Sequence, residues 1–409
     1  MQLRIVLAQF WRDLKAQRLR TALTLFGLAW GTFCVVLLLS FGEGLSRKQM
    51  QTMEGMGTRI ILIWGSRTSI PFEGLPRGRY IRLEDADADR IAREVPGVAQ
   101  VSPEYSLDVM LKGPAAEASA GLSAVRPGFG RMRNIEPEPD GRFLNDRDQA
   151  ERRRVCVLGS SIRQELFGDA PAIGRTLEIR GIPFTVIGTL PQKNQDSNYN
   201  GRDDKKVFIP ASVALSSFGE RYPSNLVVDV APDAKSADVS QAIYRVMGRA
   251  HHFDGEDKEA LMTWDVGEML AMIRTVFLGF RVFLGLIGAL TLAVAGIGVA
   301  NVMSMVVEDR TSQIGISMAL GARHSWVLGQ ILLETLLVTA VGGLIGVVFA
   351  GAIVAVCQYL PLQDSIGAPV FSGTIALLTA GILGTIAILA GMGPARRAAY
   401  LNPAEALRS

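Results

Sequence analysis

The chain has 409 residues, a net charge of +3 and a mean hydropathy of +0.25, although 20% of its residues are charged. This combination is typical of a protein that lies partly in lipid and partly in water. No long basic run alternates with aromatic residues, so nucleic-acid binding is not expected. Two of the three cysteines, Cys34 and Cys357, lie in apolar segments, which leaves Cys156 without a disulfide partner in the water-exposed part.

Four apolar runs are long enough to cross a bilayer, which needs about 20 residues of helix. No small-residue cleavage site follows the first run, residues 22–41, so an uncleaved transmembrane helix is predicted there rather than a signal peptide. The predicted segments are an amphipathic helix at 1–20, the first span at 21–42, an external domain at 43–274, the second span at 275–307, a connection with a coupling helix at 308–326, the third span at 327–356, a short loop at 357–369, the fourth span at 370–393 and a tail at 394–409.

Arginine and lysine near the ends of the spans predict the orientation, because basic residues are retained on the cytoplasmic side. Arg12 and Lys15 precede the first span, Arg310 lies between the second and third, and Arg396 follows the fourth, whereas residues 358–373 contain neither type. We therefore predict a multi-pass protein of a bacterial inner membrane with both termini and the coupling helix in the cytoplasm. The external domain is expected in the periplasm, and the helix at 1–20 is expected to lie along the surface of the lipid bilayer.

Glycines recur in the last three spans at spacings that let helices approach closely. Gly285, Gly288, Gly342 and Gly346 are the clearest cases. Small residues favour helix association in lipid, where the hydrophobic effect contributes little between helices. We predict that these glycines pack the helices of one bundle, and a subunit interface is the alternative.

Short β-rich runs alternate with amphipathic helices between the first two spans. This order predicts an α+β domain of two subdomains, a membrane-proximal part at 43–115 and 222–274 and an inserted part at 116–221. Together with the spans, it gives the expected fold class: a membrane protein with four transmembrane α-helices and an α+β extracytoplasmic domain inserted between helices 1 and 2.

Two groups of polar residues in this domain superficially resemble metal ligands. Asp85, Asp87 and Asp89 lack the glycine and the glutamate of a calcium loop, so we interpret them as acids at a helix N-terminus. His251 and His252 are adjacent, and no further ligand follows at a usual spacing. No metal site is therefore predicted.

The sequence contains none of the usual catalytic motifs. It has three histidines, no nucleophile motif of the G-x-S-x-G type and no G-x-x-x-x-G-K-[ST] phosphate loop. The one acid of the third apolar run, Glu334, lies near its end. The spans therefore lack the midplane charges and the matching breaks that are typical of a substrate site at the membrane midplane. We predict a protein that is not an enzyme, has no catalytic residues and binds no cofactor of its own, and that handles any substrate outside the bilayer or at its outer surface.

The connection between the second and third spans is the most informative stretch. It predicts a short helix from Thr311 to Leu320 that ends at Gly321. Ile314, Ile316 and Met318 would be exposed on this helix, and an exposed apolar surface needs a partner to cover it.

At these residues the sequence resembles the MacB/FtsX-like permeases of ABC transporters. The resemblance covers essentially the whole chain and includes residues 154–190 and the C-terminal stretch 391–409. It implies contact with an ATPase through the following residues: Glu308, Arg310, Thr311, Gln313, Ile314, Gly315, Ile316, Ala319, Leu320, Gly321 and Ala322. Asp309, Gln313 and Ser317 depart from the usual motif.

The resemblance also implies partners. A separate ABC ATPase subunit would bind ATP and Mg, the permease would form a homodimer or a heterodimer with a related permease, and an adaptor and an outer-membrane channel would complete an efflux or export system. ATP hydrolysis would act on the external domain as a mechanical stroke. The alternatives are an FtsX-like regulator of a cell-wall hydrolase and a lipoprotein-handling permease, and no cargo is predicted.

Overall fold

The structure is a computed structural model that describes residues 18–54, 57–114, 116–192, 199–359 and 368–401. Residues 1–17, which contain most of the predicted amphipathic helix, and the end of the predicted tail lie outside the described residues. The chain divides into two compact units. One comprises Met1–Lys48 and Thr275–Ser409 and is called the membrane bundle below, and the other, Gln49–Arg274, is the external domain.

The described helices and strands follow one another in this order: α1 (Arg18–Glu54), β1 (Ile60–Gly65), α2 (Asp85–Glu94), β2 (Val98–Lys112), β3 (Glu117–Val125), α3 (Phe129–Met132), α4 (Asp146–Ala150), β4 (Val155–Leu158), α5 (Ser160–Phe167), β5 (Thr176–Ile179), β6 (Ile182–Thr189), a 3-10 turn (Asp203–Lys205), β7 (Lys206–Pro210), α6 (Ala211–Phe218), β8 (Asn225–Val230), α7 (Ser236–His251), β9 (Leu261–Asp265), α8 (Val266–Asp309), α9 (Thr311–Ala319), α10 (His324–Cys357) and α11 (Gly373–Ala399).

Within the described ranges, four helices are long and apolar enough to cross a membrane: α1, α8, α10 and α11. This confirms the four predicted spans. Two helices extend well beyond the apolar runs that predicted them. Helix α1 continues to Glu54, and α8 begins at Val266, ahead of the predicted span at 275. The early start of α8 has a packing reason, since Val266 and Leu270 are buried in an apolar cluster of the external domain.

The external domain is built on one sheet, whose nine described strands have the order β3-β7-β4-β6-β5-β2-β8-β1-β9. The long strand β2 joins its two halves, because residues from Val98 to Glu104 pair with β8 and residues from Glu104 to Lys112 pair with β3. Helices α2 and α7 cover one half and form one core, and α5 and α6 cover the other half and form a second core. The two predicted subdomains therefore share a continuous sheet.

A cluster of charged and polar side chains, all buried except the partly buried Tyr199, lies where the two halves meet. Its members are Glu104, Ser123, Arg133, Tyr199, Asp203, Lys206 and Asn225. The Glu104 carboxylate accepts a hydrogen bond from the Tyr199 hydroxyl at 2.6 Å and lies 3.8 Å from the Lys206 ammonium. Arg133 pairs with Asp203 at 3.3 Å, and its guanidinium stacks over the Tyr199 ring. Glu104, Arg133, Asp203 and Lys206 are each at most 3% exposed, so each charge depends on its partners rather than on water.

Candidate functional site

The candidate site is the connection between α8 and α10, which contains the short helix α9. The break after α8 falls at Arg310, and the Thr311 hydroxyl donates to the Val307 carbonyl at 3.1 Å across it. Helix α9 ends at Ala319, and Gly321 follows with φ +95°, a left-handed conformation that glycine adopts without strain. The Gly321 amide donates to the Met318 carbonyl at 3.0 Å. The predicted short helix and its stop at Gly321 are confirmed.

A buried ion pair joins the start of this helix to the third span. The Arg310 guanidinium donates from Nη1 to both carboxylate oxygens of Glu334 in α10, at 3.0 and 3.2 Å. The side chains are 15% and 4% exposed, and the Gln330 side chain lies 3.4 Å from the same carboxylate. A lone carboxylate in an apolar span would be costly, so the arginine and the acid neutralise one another.

The sequence indicates no role for Glu334 beyond its place as the one acid near the end of the third apolar run. The signal that identifies the pair is the combination of an acid near the end of an apolar run and an arginine in the adjoining connection. The sequence contains both residues but does not show that they meet.

The two faces of α9 have different surroundings. Ile314 and Met318, one turn apart, pack against the core of the membrane bundle, and Gly315 is buried. Ile316 and Leu320 occupy the outward face and are 48% and 85% exposed. The prediction that Ile314 and Met318 are exposed was therefore wrong. Residues four apart share a helix face, and the face with Ile314 and Met318 is the one that meets the other helices.

Beside the outward face lies an open groove in which Leu320 and Trp326 are neighbours. Trp326 stands in the first turn of α10 and is 49% exposed. We call Ile316, Leu320 and Trp326 the α9 patch. An exposed apolar surface of this kind, bordered by the polar residues Ser317 and Arg323, is typical of a protein contact.

The eleven predicted coupling residues are distributed between the surface and the interior. The exposed ones are Glu308, Gln313, Ile316, Ala319, Leu320 and Gly321, the partly buried ones are Arg310, Thr311, Ile314 and Ala322, and Gly315 is buried. The structure thus separates residues that can touch a partner from residues that hold α9 in place. Among the described residues, no group of three or more His, Cys, Asp or Glu side chains is arranged to hold a metal ion.

Three of the four predicted packing glycines lie against α1. An ideal Cβ on Gly346 would lie 2.4 Å from the Ala29 carbonyl oxygen, and one on Gly342 would lie 2.8 Å from the Leu28 Cβ. A Cβ on Gly288 would lie 2.9 Å from a methyl group of Val35. Gly285 differs, since no atom of the described residues comes within 4 Å of its Cβ position.

We expect Gly346→Val to destabilise the membrane bundle by about 2 kcal/mol, because the new side chain would overlap the backbone of α1. Gly351→Val is the matched control on the same helix, since nothing lies within 4 Å of its Cβ position. Unfolding both variants in mixed detergent micelles with increasing dodecyl sulfate measures the difference. Equal stability of the two variants would show that the close approach of α1 and α10 at Gly346 is wrong.

Comparison with known proteins identifies both units. Residues 21–246 match the family model of the MacB-like periplasmic core domain, and residues 285–403 match that of the FtsX-like permease C-terminal domain. The first match covers more than half of the chain and agrees with a multi-pass inner-membrane protein that carries a large periplasmic domain.

Curated relatives show the same resemblance over nearly the whole chain. The pyoverdine export ATP-binding/permease protein PvdT of Pseudomonas aeruginosa is 33% identical over 402 residues, which are 98% of this chain and 58% of the relative. The macrolide export ATP-binding/permease protein MacB of Wolinella succinogenes is 31% identical over 406 residues, which are 98% of this chain and 60% of the relative. The chain thus spans about three fifths of the length of these relatives.

Among solved structures, the periplasmic region of MacB from Actinobacillus actinomycetemcomitans matches with a TM-score of 0.44 and 19% identity, over 56% of this chain and 98% of that one. On the two family models, the chain belongs to the MacB/FtsX-like family of ABC transporter permeases.

Proposed function

We propose that the chain couples ATP hydrolysis by an ABC ATPase to export, and that the ATPase binds at the α9 patch. In this proposal the connection between α8 and α10 faces the cytoplasm, as the flanking arginines predict. The ATPase holds the ATP and Mg, and this chain supplies no catalytic group.

The observation that carries the proposal is the construction of α9. The helix presents an apolar face outward, while the buried pair between Arg310 and Glu334 fastens its first turn to α10. A force on Leu320 or Ile316 would therefore move the third span instead of bending a loose loop. Because α8 is a single helix from Val266 to Asp309, it can carry the same movement towards the external domain.

Export is favoured over the regulation of a cell-wall hydrolase or the handling of lipoproteins, because PvdT and MacB are both named for export. A dimer of the permease, an adaptor and an outer-membrane channel belong to the same proposal. The cargo is left open, since the two relatives are named for chemically different substrates.

Leu320→Asp tests the docking surface. Burying an unpaired carboxylate against the ATPase is expected to lower the amount of ATPase recovered with the chain, and the ATP hydrolysis of the complex in nanodiscs, by roughly tenfold. The fold should be unaffected, because Leu320 is 85% exposed.

Tyr359→Asp is the matched control, since Tyr359 is 91% exposed just beyond the other end of α10. We expect it to leave both readouts within about twofold of the unchanged protein. If Leu320→Asp behaved like the control, the α9 patch would not be the ATPase contact. Variants of Ile314 or Gly315 are less informative, because these residues are packed inside the bundle.

A further inference from the structure

Strand β9 forms one end of the sheet in the external domain and pairs only with β1 among the described strands. The Ser66 amide donates to the Ala260 carbonyl, and Trp64 pairs with Met262 in the same ladder. Because hydrogen-bonded and non-bonded pairs alternate in antiparallel strands, the backbone groups of Leu261 and Thr263 point away from β1.

These outward groups are only partly satisfied. The Leu261 carbonyl accepts from the Tyr244 hydroxyl of α7 at 2.8 Å. The amide and carbonyl of Thr263 have no hydrogen-bond partner within the part of the chain that the structure describes. An unpaired strand edge of this kind is a template for another extended chain.

A groove of about 640 Å³ runs beside this edge, between β9 and α7. Gln241 and Tyr244 of α7 line one side of it, and Leu261 and Thr263 of β9 line the other. A chain that extends the sheet at β9 would direct alternate side chains towards α7. Recognition of peptides by an added strand combines these two features, an open edge for the backbone and a groove for every second side chain.

The charge of the groove indicates which side chains fit. The described residues that line it include three acids, Asp238, Asp265 and Glu268, and one base, Lys258. The Lys258 ammonium is already engaged over the Tyr244 ring, 4.7 Å from its centre. The carboxylates therefore favour a guest with positive side chains.

We propose that β9 and this groove form a docking site for an extended polypeptide segment with basic side chains at alternate positions. The segment adds a strand antiparallel or parallel to β9, bonds to the Thr263 backbone and places its lysines or arginines among the three carboxylates. This site is distinct from the α9 patch, and its existence does not depend on how the ATPase binds.

The probe is a fluorescent eight-residue peptide of alternating lysine and valine, titrated against the full chain in nanodiscs and followed by anisotropy. A glutamate–valine peptide and a lysine–valine peptide with every second backbone amide methylated are its controls. We expect the first peptide to bind and both controls to bind at least roughly tenfold more weakly, because one lacks the charge and the other lacks the amides that bond to the edge.

Thr263→Pro is the decisive variant. It removes the outward amide, and it leaves the ladder to β1 intact because that amide is not used there. We expect roughly tenfold weaker binding of the lysine peptide, whereas Thr263→Val, which keeps the amide, should change it by less than about twofold. Glu268→Lys should also weaken binding, because it replaces a carboxylate of the groove by a cation. Asp265 is not substituted, because its carboxylate accepts a hydrogen bond from the Glu268 amide at the start of α8.

Three results would overturn the proposal. In the first, the lysine peptide does not bind. In the second, Thr263→Pro unfolds at the normal temperature and binds the lysine peptide as the unchanged protein does. In the third, Thr263→Cys forms disulfide cross-links efficiently between two copies of the chain. The last result would mean that the edge is occupied by a second copy.

Discussion

Glu334→Leu is expected to destabilise the membrane bundle by about 3 kcal/mol. The substitution removes the Glu334 carboxylate that faces Arg310, whose side chain is 15% exposed, and breaking a buried ion pair from one side typically costs about 3–5 kcal/mol. The loss is expected at the lower end of this range because Arg310 is not fully buried. Unfolding in mixed micelles with increasing dodecyl sulfate measures the loss.

Two further variants make this result specific. Glu308→Leu removes an exposed acid of the same connection and should change stability by less than about 0.5 kcal/mol. The double variant Arg310→Met with Glu334→Leu should recover at least half of the loss, because a buried apolar pair needs no partner charge. If Glu334→Leu and Glu308→Leu changed the stability of the membrane bundle equally, the ion pair would not be what holds α9 against α10.

The second large effect is expected in the external domain, where Glu104→Leu should cost about 4 kcal/mol. The carboxylate is fully buried, and its removal leaves the Tyr199 hydroxyl without an acceptor and the Lys206 ammonium without a counter-charge. Hydrogen exchange of the β2 amides in the full chain in detergent measures the change. Glu117→Leu removes an exposed carboxylate from neighbouring β3 and should leave exchange nearly unchanged.

The same carboxylate gives the domain a pH dependence. Burial alone would raise the pKa of Glu104, but the charge of Lys206 and the hydrogen bond from Tyr199 outweigh it and hold that pKa below its usual range. For Lys206, by contrast, the effect of burial is larger than the effect of the Glu104 charge, so the pKa of Lys206 is lowered.

A carboxylate with a lowered folded-state pKa stabilises the fold above its unfolded pKa, near 4.5, and loses that contribution as the pH falls through the folded value. Protection of β2 should therefore decline on acidification below about pH 4.5 in the unchanged protein and decline less in Glu104→Gln. An identical decline in the two proteins would show that Glu104 does not carry the dependence.

The spans and the short helix α9 could be predicted because their signals are local. Long apolar runs predicted all four membrane helices. Gly321 predicted the end of α9, whose last residue is Ala319. The face that α9 turns inward could not be predicted. Ile314, Ile316 and Met318 are all apolar, and only the position of the neighbouring helices decides which of them is buried.

Pairings between residues far apart in the chain could also not be predicted from the sequence. Glu104 and Lys206 lie far apart in the chain and meet because β2 crosses the middle of the sheet, and no local pattern distinguishes them from surface residues. The start of α8 at Val266 was missed for a similar reason, since its first turns pack in the external domain and not in an apolar run. The buried pairs of Glu104 with Lys206 and of Arg310 with Glu334 are thus the features that sequence patterns describe least.

The proposed function depends on contact between an ABC ATPase and the α9 patch. A photo-crosslinking amino acid in place of Leu320, activated in intact cells, tests it directly, with the same substitution at Tyr359 as the reference. We expect peptides of an ATP-binding domain to be attached at position 320 and absent at position 359. Absence of an ATP-binding domain among the proteins attached at position 320 would show that the α9 patch is not the ATPase contact.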